Sequence, residues 1–290
     1  MLRSQALAGL QPDVRLLFAT RIARLFAYGS LSVVLVLYLV AAGLADGQIG
    51  LLLTLTLVGD TFISLFLTTR ADRAGRRRTL LVGAGLMLFA ALLFALTRDF
   101  FLLLLAATIG VISPSGNEVG PFLSVEQAAL AQTVPDRRRT QTFAWYNLAG
   151  SFATALGALA GGGLAQALQA AGWPALASYR AVVVVYGGFG LLLAALFTRL
   201  SPAAEAAGSP QVAATPGSHL PAARPGAPAP RFAAGTRLAW LAARLGLPHS
   251  GPIVLRLSAL FAMDAFAGGF VIQSMVAYWF SRRFGVAPGL

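Results

Sequence analysis

The ionisable side chains inside long apolar stretches are the residues of this sequence with the clearest chemical potential. Asp60, Glu118 and Asp264 each stand in a run of about 20 or more mostly apolar residues, the length that spans a bilayer. A carboxylate at bilayer depth costs at least about 2.5 kcal/mol on insertion scales, so it is rarely kept without a function. We therefore take Asp60, Asn117, Glu118 and Asp264 as candidates for binding a coupling ion or lining a substrate path.

Asp60 belongs to a polar ridge on its predicted helix. Thr56, Asp60, Ser64 and Thr68 recur every four residues and therefore share one helix face. In a membrane such a face should turn toward the interior of a helix bundle or toward a water-filled cavity. Two roles for Asp60 fit this position: the binding of a proton or cation, and a structural ion pair with an arginine.

Asn117 and Glu118 lie between two prolines of the fourth apolar stretch. Pro114 and Pro121 disfavour a continuous helix, so the sequence predicts a kink between α-helical segments there. Backbone carbonyl groups that such a kink frees can line a path for a substrate.

The composition indicates an integral membrane protein. Apolar residues make up 57% of the 290 residues and charged residues 11%, less than half of the share usual for a soluble domain. The sequence has no lysine and no cysteine, which excludes a P-loop ATPase, a retinal Schiff base, disulfides and thiolate metal sites. We expect no enzyme activity, no cofactor and no metal. The arginines lie between apolar stretches, which argues against nucleic acid as a partner.

Seven stretches are long and apolar enough to cross a bilayer. They are 16–43, 48–69, 79–97, 100–133, 142–168, 179–198 and 253–280. In the fifth stretch, Gly150, Gly157 and Gly161 have spacings that allow close packing against another helix.

The arginines predict the orientation of these spans, because positive charge near span ends favours the cytoplasmic side. With the N-terminus inside, fifteen of the 22 arginines lie on the inner side, four on the outer side and three at the inner ends of spans. We expect a multi-pass protein of the cell (inner) membrane with a cytoplasmic N-terminus. We also expect Glu126, near the inner surface, to pair with the arginines at 137–139.

The spans divide the chain into four segments. Residues 1–14 should form a cytoplasmic tail, and residues 15–199 a six-helix transmembrane bundle. The Ala/Pro/Gly-rich segment 200–252 predicts a cytoplasmic linker, whose part 231–245 also fits a short interfacial helix. Residues 253–290 should form a seventh transmembrane helix at the start of an incomplete second bundle.

The loop between the second and third spans carries the most specific local pattern, which reads RADRAGRRR over residues 70–78. It resembles the G-x-L-a-D-R-x-G-R-R signature of the major facilitator superfamily, with Thr68 and Arg70 in place of the first glycine and the leucine. The residues that match the signature in order are Asp72, Arg73, Gly75, Arg76 and Arg77. Glycine at position 75 suits a tight turn with positive φ.

The resemblance implies an all-α polytopic membrane protein, with a six-helix bundle, a seventh transmembrane helix and a truncated second bundle. It implies secondary transport of a small solute by alternating access, coupled to a proton or another ion, and the family's frequencies favour efflux. It also implies that the motif at 72–77 acts as a conformational latch at the inner gate. The alternative is that its arginines serve membrane topology alone. The implied partners are the lipid bilayer and a small-molecule substrate, with no obligate protein partner.

Two alternatives belong to other functional classes. The first is a truncated chain that inserts but does not transport, because alternating access needs two bundles and this sequence supplies one and a further helix. The second is a seven-helix receptor, which the arginine-rich inner hairpin and the long loop after the sixth span disfavour. A flux measurement separates a transporter from an inert chain, and ligand-dependent coupling to a partner would indicate a receptor.

Overall fold

The computed structural model describes residues 12–116, 120–201, 251–269, 272–287 and 289, and all regular structure within these ranges is α-helical. The helices are α1 (Pro12–Ala41), α2 (Asp46–Ala74), α3 (Arg76–Leu96), α4 (Phe100–Ile109), α5 (Phe122–Thr133), α6 (Asp136–Ala170), α7 (Ala175–Phe197), α8 (Gly251–Gly269) and α9 (Gln273–Phe284). Of these, α1, α2, α3, α6 and α7 are long and apolar enough to cross a membrane. The predicted fold class, an all-α polytopic membrane protein, is therefore confirmed.

The fourth predicted span is two helices. α4 ends at Ile109 and α5 begins at Phe122, so the expected kink is a complete interruption of the helix. Pro121 stands at the N-cap of α5, where a missing N–H donor is tolerated. Asp99 caps the N-terminus of α4, since its side chain accepts a hydrogen bond of 3.0 Å from the backbone N–H of Leu102.

The stretch 253–280, expected as one span, is also two helices. α8 ends in two consecutive glycines at 268 and 269, which have the lowest helix propensity after proline. The chain divides into two compact units, one with residues 1–208 and 272–290 and the other with residues 209–271. The first unit holds α1 to α7 and α9, and the described part of the second is α8.

Within the first unit, α1 forms the centre of the packing. It lies against α6, α7 and α9, while α3 packs on α7 and α2 packs on α4. The side chains of Tyr28, Leu35 and Tyr38 on α1 are fully buried. The outer faces of α2 and α6 carry large exposed apolar side chains, among them Phe62 and Phe152, as expected where helices contact lipid.

Glycines allow α1 and α6 to approach each other closely. A Cβ atom at position 157 would lie 2.0 Å from the carbonyl oxygen of Phe26, and one at 161 would lie 2.3 Å from that of Ser30. At Gly150 a Cβ atom would lie 2.5 Å from Leu25 Cδ1. The three glycines therefore lie on the face of α6 that touches α1. At Gly157 and Gly161 the two backbones are in direct contact, which a side chain would prevent.

We expect Gly157→Ala to lower the thermal unfolding midpoint of the purified protein in detergent. The added methyl group would force α1 and α6 apart, at the cost of about 1–3 kcal/mol that is typical of overpacking. The matched control is Gly163→Ala on the same helix, where a Cβ atom meets nothing within 4 Å. That change should be neutral or slightly stabilising, because alanine has the higher helix propensity. Equal midpoints for the two variants would contradict this packing.

Candidate functional site

The interruption between α4 and α5 leaves backbone groups without helical partners at the middle of the bundle. Inside a membrane such groups must find partners in the protein or in a water-filled cavity. The N–H of Gly120 donates a hydrogen bond of 2.7 Å to Oδ1 of Asp60 on α2. Gly120 has a φ of +78°, a conformation that favours glycine. A carboxylate of one helix thus holds the chain directly before α5.

Two more helices supply partners for this interruption. The hydroxyl of Tyr186 on α7 donates to the carbonyl oxygen of Val111. The backbone N–H of Ser274 on α9 donates to the carbonyl oxygen of Pro114 at 3.3 Å. The hydroxyl of Ser274 also contacts this carbonyl oxygen of Pro114. The same hydroxyl lies 2.6 Å from the carbonyl oxygen of Ser32 on α1. Side chains from α2, α7 and α9 therefore converge on the broken span.

The predicted polar ridge of α2 faces this span. Ser64 donates a hydrogen bond of 3.2 Å to Asp60 Oδ1, and the hydroxyls of Thr68 and Ser124 lie 3.0 Å apart. Thr56 instead donates to a backbone carbonyl oxygen of its own helix. The side chain of Asp60 is half-buried, and the donors to its Oδ1 are neutral groups of Gly120 and Ser64 instead of an arginine.

A buried ion pair joins α1 to α5 and was missed by the sequence analysis. Nη1 and Nη2 of Arg24 donate to Oε1 and Oε2 of Glu126 at 2.7 and 2.8 Å, and both side chains have 0% exposure. Thr20 donates to the same carboxylate at 2.9 Å, and the hydroxyl of Tyr146 on α6 also binds it. Bidentate hydrogen bonds between charged groups, as in this pair, are stronger than hydrogen bonds between neutral groups.

The expectation that Glu126 pairs with the arginines at 137–139 is wrong, because its carboxylate is bound to Arg24. Arg24 lies twelve residues after the start of α1, about 18 Å along the helix axis. Arg21, one turn earlier, is also buried, with its guanidinium 4.2 Å from the ring centroid of Tyr146. The helical spacing of Thr20, Arg21 and Arg24 was the signal that could have revealed a polar face.

The hairpin motif forms the turn between α2 and α3. Gly75 has a φ of +96°, and its N–H closes α2 by donating to the carbonyl oxygen of Ala71 at 2.9 Å. Arg76 is largely buried, and its Nη1 donates to Oε1 of Gln132 in the last turn of α5 at 2.7 Å. Arg77 is exposed. The side chains of Asp72 and Arg73 are not among those that the structure describes. The motif therefore ties the start of α3 to the end of α5.

The remaining predicted site residues stay untested by the described structure. Asn117 and Glu118 lie outside the described residues. Asp264 lies on α8, in the second unit, and its side chain is exposed there. Within the described ranges, no three His, Cys, Asp or Glu side chains are grouped so that they could hold a metal ion.

The fold and the site define a polytopic α-helical membrane protein with a broken fourth span and charged side chains inside its helix bundle. The sequence profile of the Major Facilitator Superfamily matches residues 17–289. This chain belongs to that superfamily, a family of membrane transporters, which confirms the resemblance seen in the hairpin motif.

A curated relative adds a second comparison. An uncharacterized membrane protein of Saccharomyces cerevisiae is 34% identical to this chain over 275 residues, which cover 94% of this chain and 61% of the relative. The chain thus spans about three fifths of the length of that relative.

We expect Arg24→Gln and Glu126→Gln each to destabilise the protein strongly, because either change leaves a buried charge without its counter-charge, at a typical cost of about 3–5 kcal/mol. The double variant should lose less than the sum of the two single losses, since no unpaired charge remains. Thermal unfolding of all four proteins in detergent measures this coupling. Additive losses would show that the two side chains do not depend on each other.

Proposed function

We propose that this chain acts in secondary active transport of a small solute by alternating access, driven by a proton or ion gradient, in the efflux direction. Membership of a transporter family supports the reaction class. The observation that carries the coupling is the 2.7 Å hydrogen bond between Asp60 and the N–H of Gly120. It links the one carboxylate of the polar ridge to a break in a transmembrane helix.

Asp60 couples ion binding to the position of α5 in this proposal. The ionised carboxylate is a strong acceptor for the Gly120 N–H and also faces the positive end of the α5 dipole. A proton or cation bound to Asp60 competes for the same oxygen atoms and removes the negative charge. The hydrogen bond then weakens, and the first turn of α5 is released from α2.

Movement of α5 would reach the other helices of the bundle through its remaining polar contacts. Glu126 connects it to Arg24 on α1, and Gln132 connects it to Arg76 on α3. Since packed helices shift as rigid bodies, a displacement of α5 acts at once on α1 and on the motif at 72–77. We therefore propose that the motif at 72–77 acts as a latch that is bound to α5, the inner helix of the interrupted fourth span.

The segment boundaries and the sidedness of the chain belong to the same proposal. We propose a cytoplasmic tail at 1–14, a bundle at 15–199, a cytoplasmic linker at 200–252 and a seventh span within 253–290, in the cell (inner) membrane. The excess of arginines on the side of the N-terminus supports the orientation. Asn117, Glu118 and Asp264 remain candidates for the substrate path, since each is a polar group within an apolar stretch.

The test begins with the purified 290-residue chain in detergent, screened for thermal stabilisation by amino acids, sugars, organic cations and carboxylates. The stabilising compound is then the probe in proteoliposomes with an imposed proton or sodium gradient. Gradient-dependent movement of that compound is the expected result. Insertion of the chain without any flux would support the alternative of a chain that does not transport by itself.

We expect Asp60→Asn to abolish gradient-driven flux while substrate exchange in the absence of a gradient continues. The amide keeps the size of the side chain but can neither bind a proton nor carry the charge that attracts a cation. Thr61→Ala is the control on the same helix, because that residue is exposed and its hydroxyl donates to the carbonyl oxygen of Leu57 in its own helix. Gradient-driven flux by Asp60→Asn at the rate of the unchanged protein would refute the coupling role.

A further inference from the structure

Two runs of arginines lie at the same end of the bundle. Residues 76–78 begin α3, and residues 137–139 lie in the first turn of α6. The hydrogen bond between Arg76 and Gln132 holds the start of α3 at the last turn of α5, and only two residues separate α5 from α6. The side chains of residues 77, 78 and 137–139 are all exposed.

The local electrostatics at this end strongly favour an anion. The first turn of α3 contains no acidic residue, and that of α6 contains Asp136, whose Oδ1 lies 2.9 Å from Nη1 of Arg139. A helix N-terminus carries a partial positive charge, so cations are unfavourable there and anions favourable. Both arginine runs stand at such N-termini, where guanidinium charge and helix dipole add to each other.

The length and composition of α6 suit arginines that lie at the phosphate layer of a bilayer. α6 has 35 residues and is about 52 Å long, whereas the hydrocarbon core is about 30 Å thick. Its first seven residues are polar or charged and precede the apolar part of the helix. Trp145 lies about two turns after the arginines at 137–139 and is 57% exposed. Exposed tryptophans are typical of the membrane interface. These features fit arginines that reach the lipid headgroups.

We propose that the exposed arginines at 77, 78 and 137–139 form a binding site for the headgroups of anionic phospholipids. Guanidinium groups bind phosphate oxygens in pairs of hydrogen bonds, and basic residues beside a membrane are drawn to anionic lipids. A phospholipid presents its phosphate at this depth while its acyl chains remain in the hydrocarbon layer. The site contains neither Asp60 nor any proposed substrate-path residue, although Arg77 also belongs to the motif at 72–77.

The test uses the full chain in a neutral detergent and compares its thermal unfolding midpoint with added dioleoylphosphatidylglycerol or dioleoylphosphatidylcholine. The test variant is Arg137→Gln/Arg138→Gln. The control variant, Arg282→Gln/Arg283→Gln, removes the same charge from the last turn of α9, a helix C-terminus. Inorganic phosphate at the same concentration is a further arm.

We expect the anionic lipid to raise the midpoint by several degrees more than the zwitterionic lipid does, and added salt to reduce this difference. The difference should shrink in Arg137→Gln/Arg138→Gln and persist in the control variant. If the double variant fails to fold, Arg78→Gln replaces it with the same expectation. Equal effects of the two lipids, equal losses in the test and control variants, or an equal effect of inorganic phosphate would overturn the proposal.

Discussion

A break in a transmembrane helix must be repaired by hydrogen bonds from the surrounding protein, and the structure of this bundle depends on that requirement. Lipid offers no donors or acceptors to the backbone groups that the gap between α4 and α5 exposes. Asp60, Tyr186 and Ser274, on three different helices, bind groups within the gap. The carboxylate of Asp60 would be costly beside lipid. Here it is the partner of a backbone N–H that would otherwise be unsatisfied, which explains how the bundle retains this residue.

The same requirement makes α5 a distinct element with its own attachments. It packs against α1, α2 and α3, and polar contacts fasten it to each of them. Its buried carboxylate, Glu126, is saturated by an arginine, a threonine and a tyrosine, so that the ion pair is held without solvent. A twelve-residue helix with such attachments can transmit a change at one of them to the others, which is the basis of the transport cycle proposed above.

The sequence predicted the five long helices α1, α2, α3, α6 and α7 and the location of the break in the fourth stretch, because bilayer thickness and proline chemistry are local properties of the chain. It did not predict that the stretch 253–280 divides into α8 and α9. It also singled out Asp60, since one charge in an apolar run is visible without any structure. The partners were not predictable in this way. Arg24 and Glu126 are separated by 102 residues, and their pairing depends on how α1 and α5 pack. Tyr186 and Ser274 look like ordinary residues of apolar helices until the freed carbonyl groups are placed beside them.

The hydrogen bond between Gly120 and Asp60 joins the start of α5 to α2, and the proposed coupling depends on it. Site-resolved hydrogen–deuterium exchange of the Gly120 amide, in the intact protein in detergent, measures it. Although this amide lies outside any helix, the account predicts exchange slowed by orders of magnitude relative to an open amide, and a loss of that protection in Asp60→Ala. Exchange of the Gly120 amide at the rate of an unprotected glycine in the unchanged protein would show that Asp60 does not hold this amide.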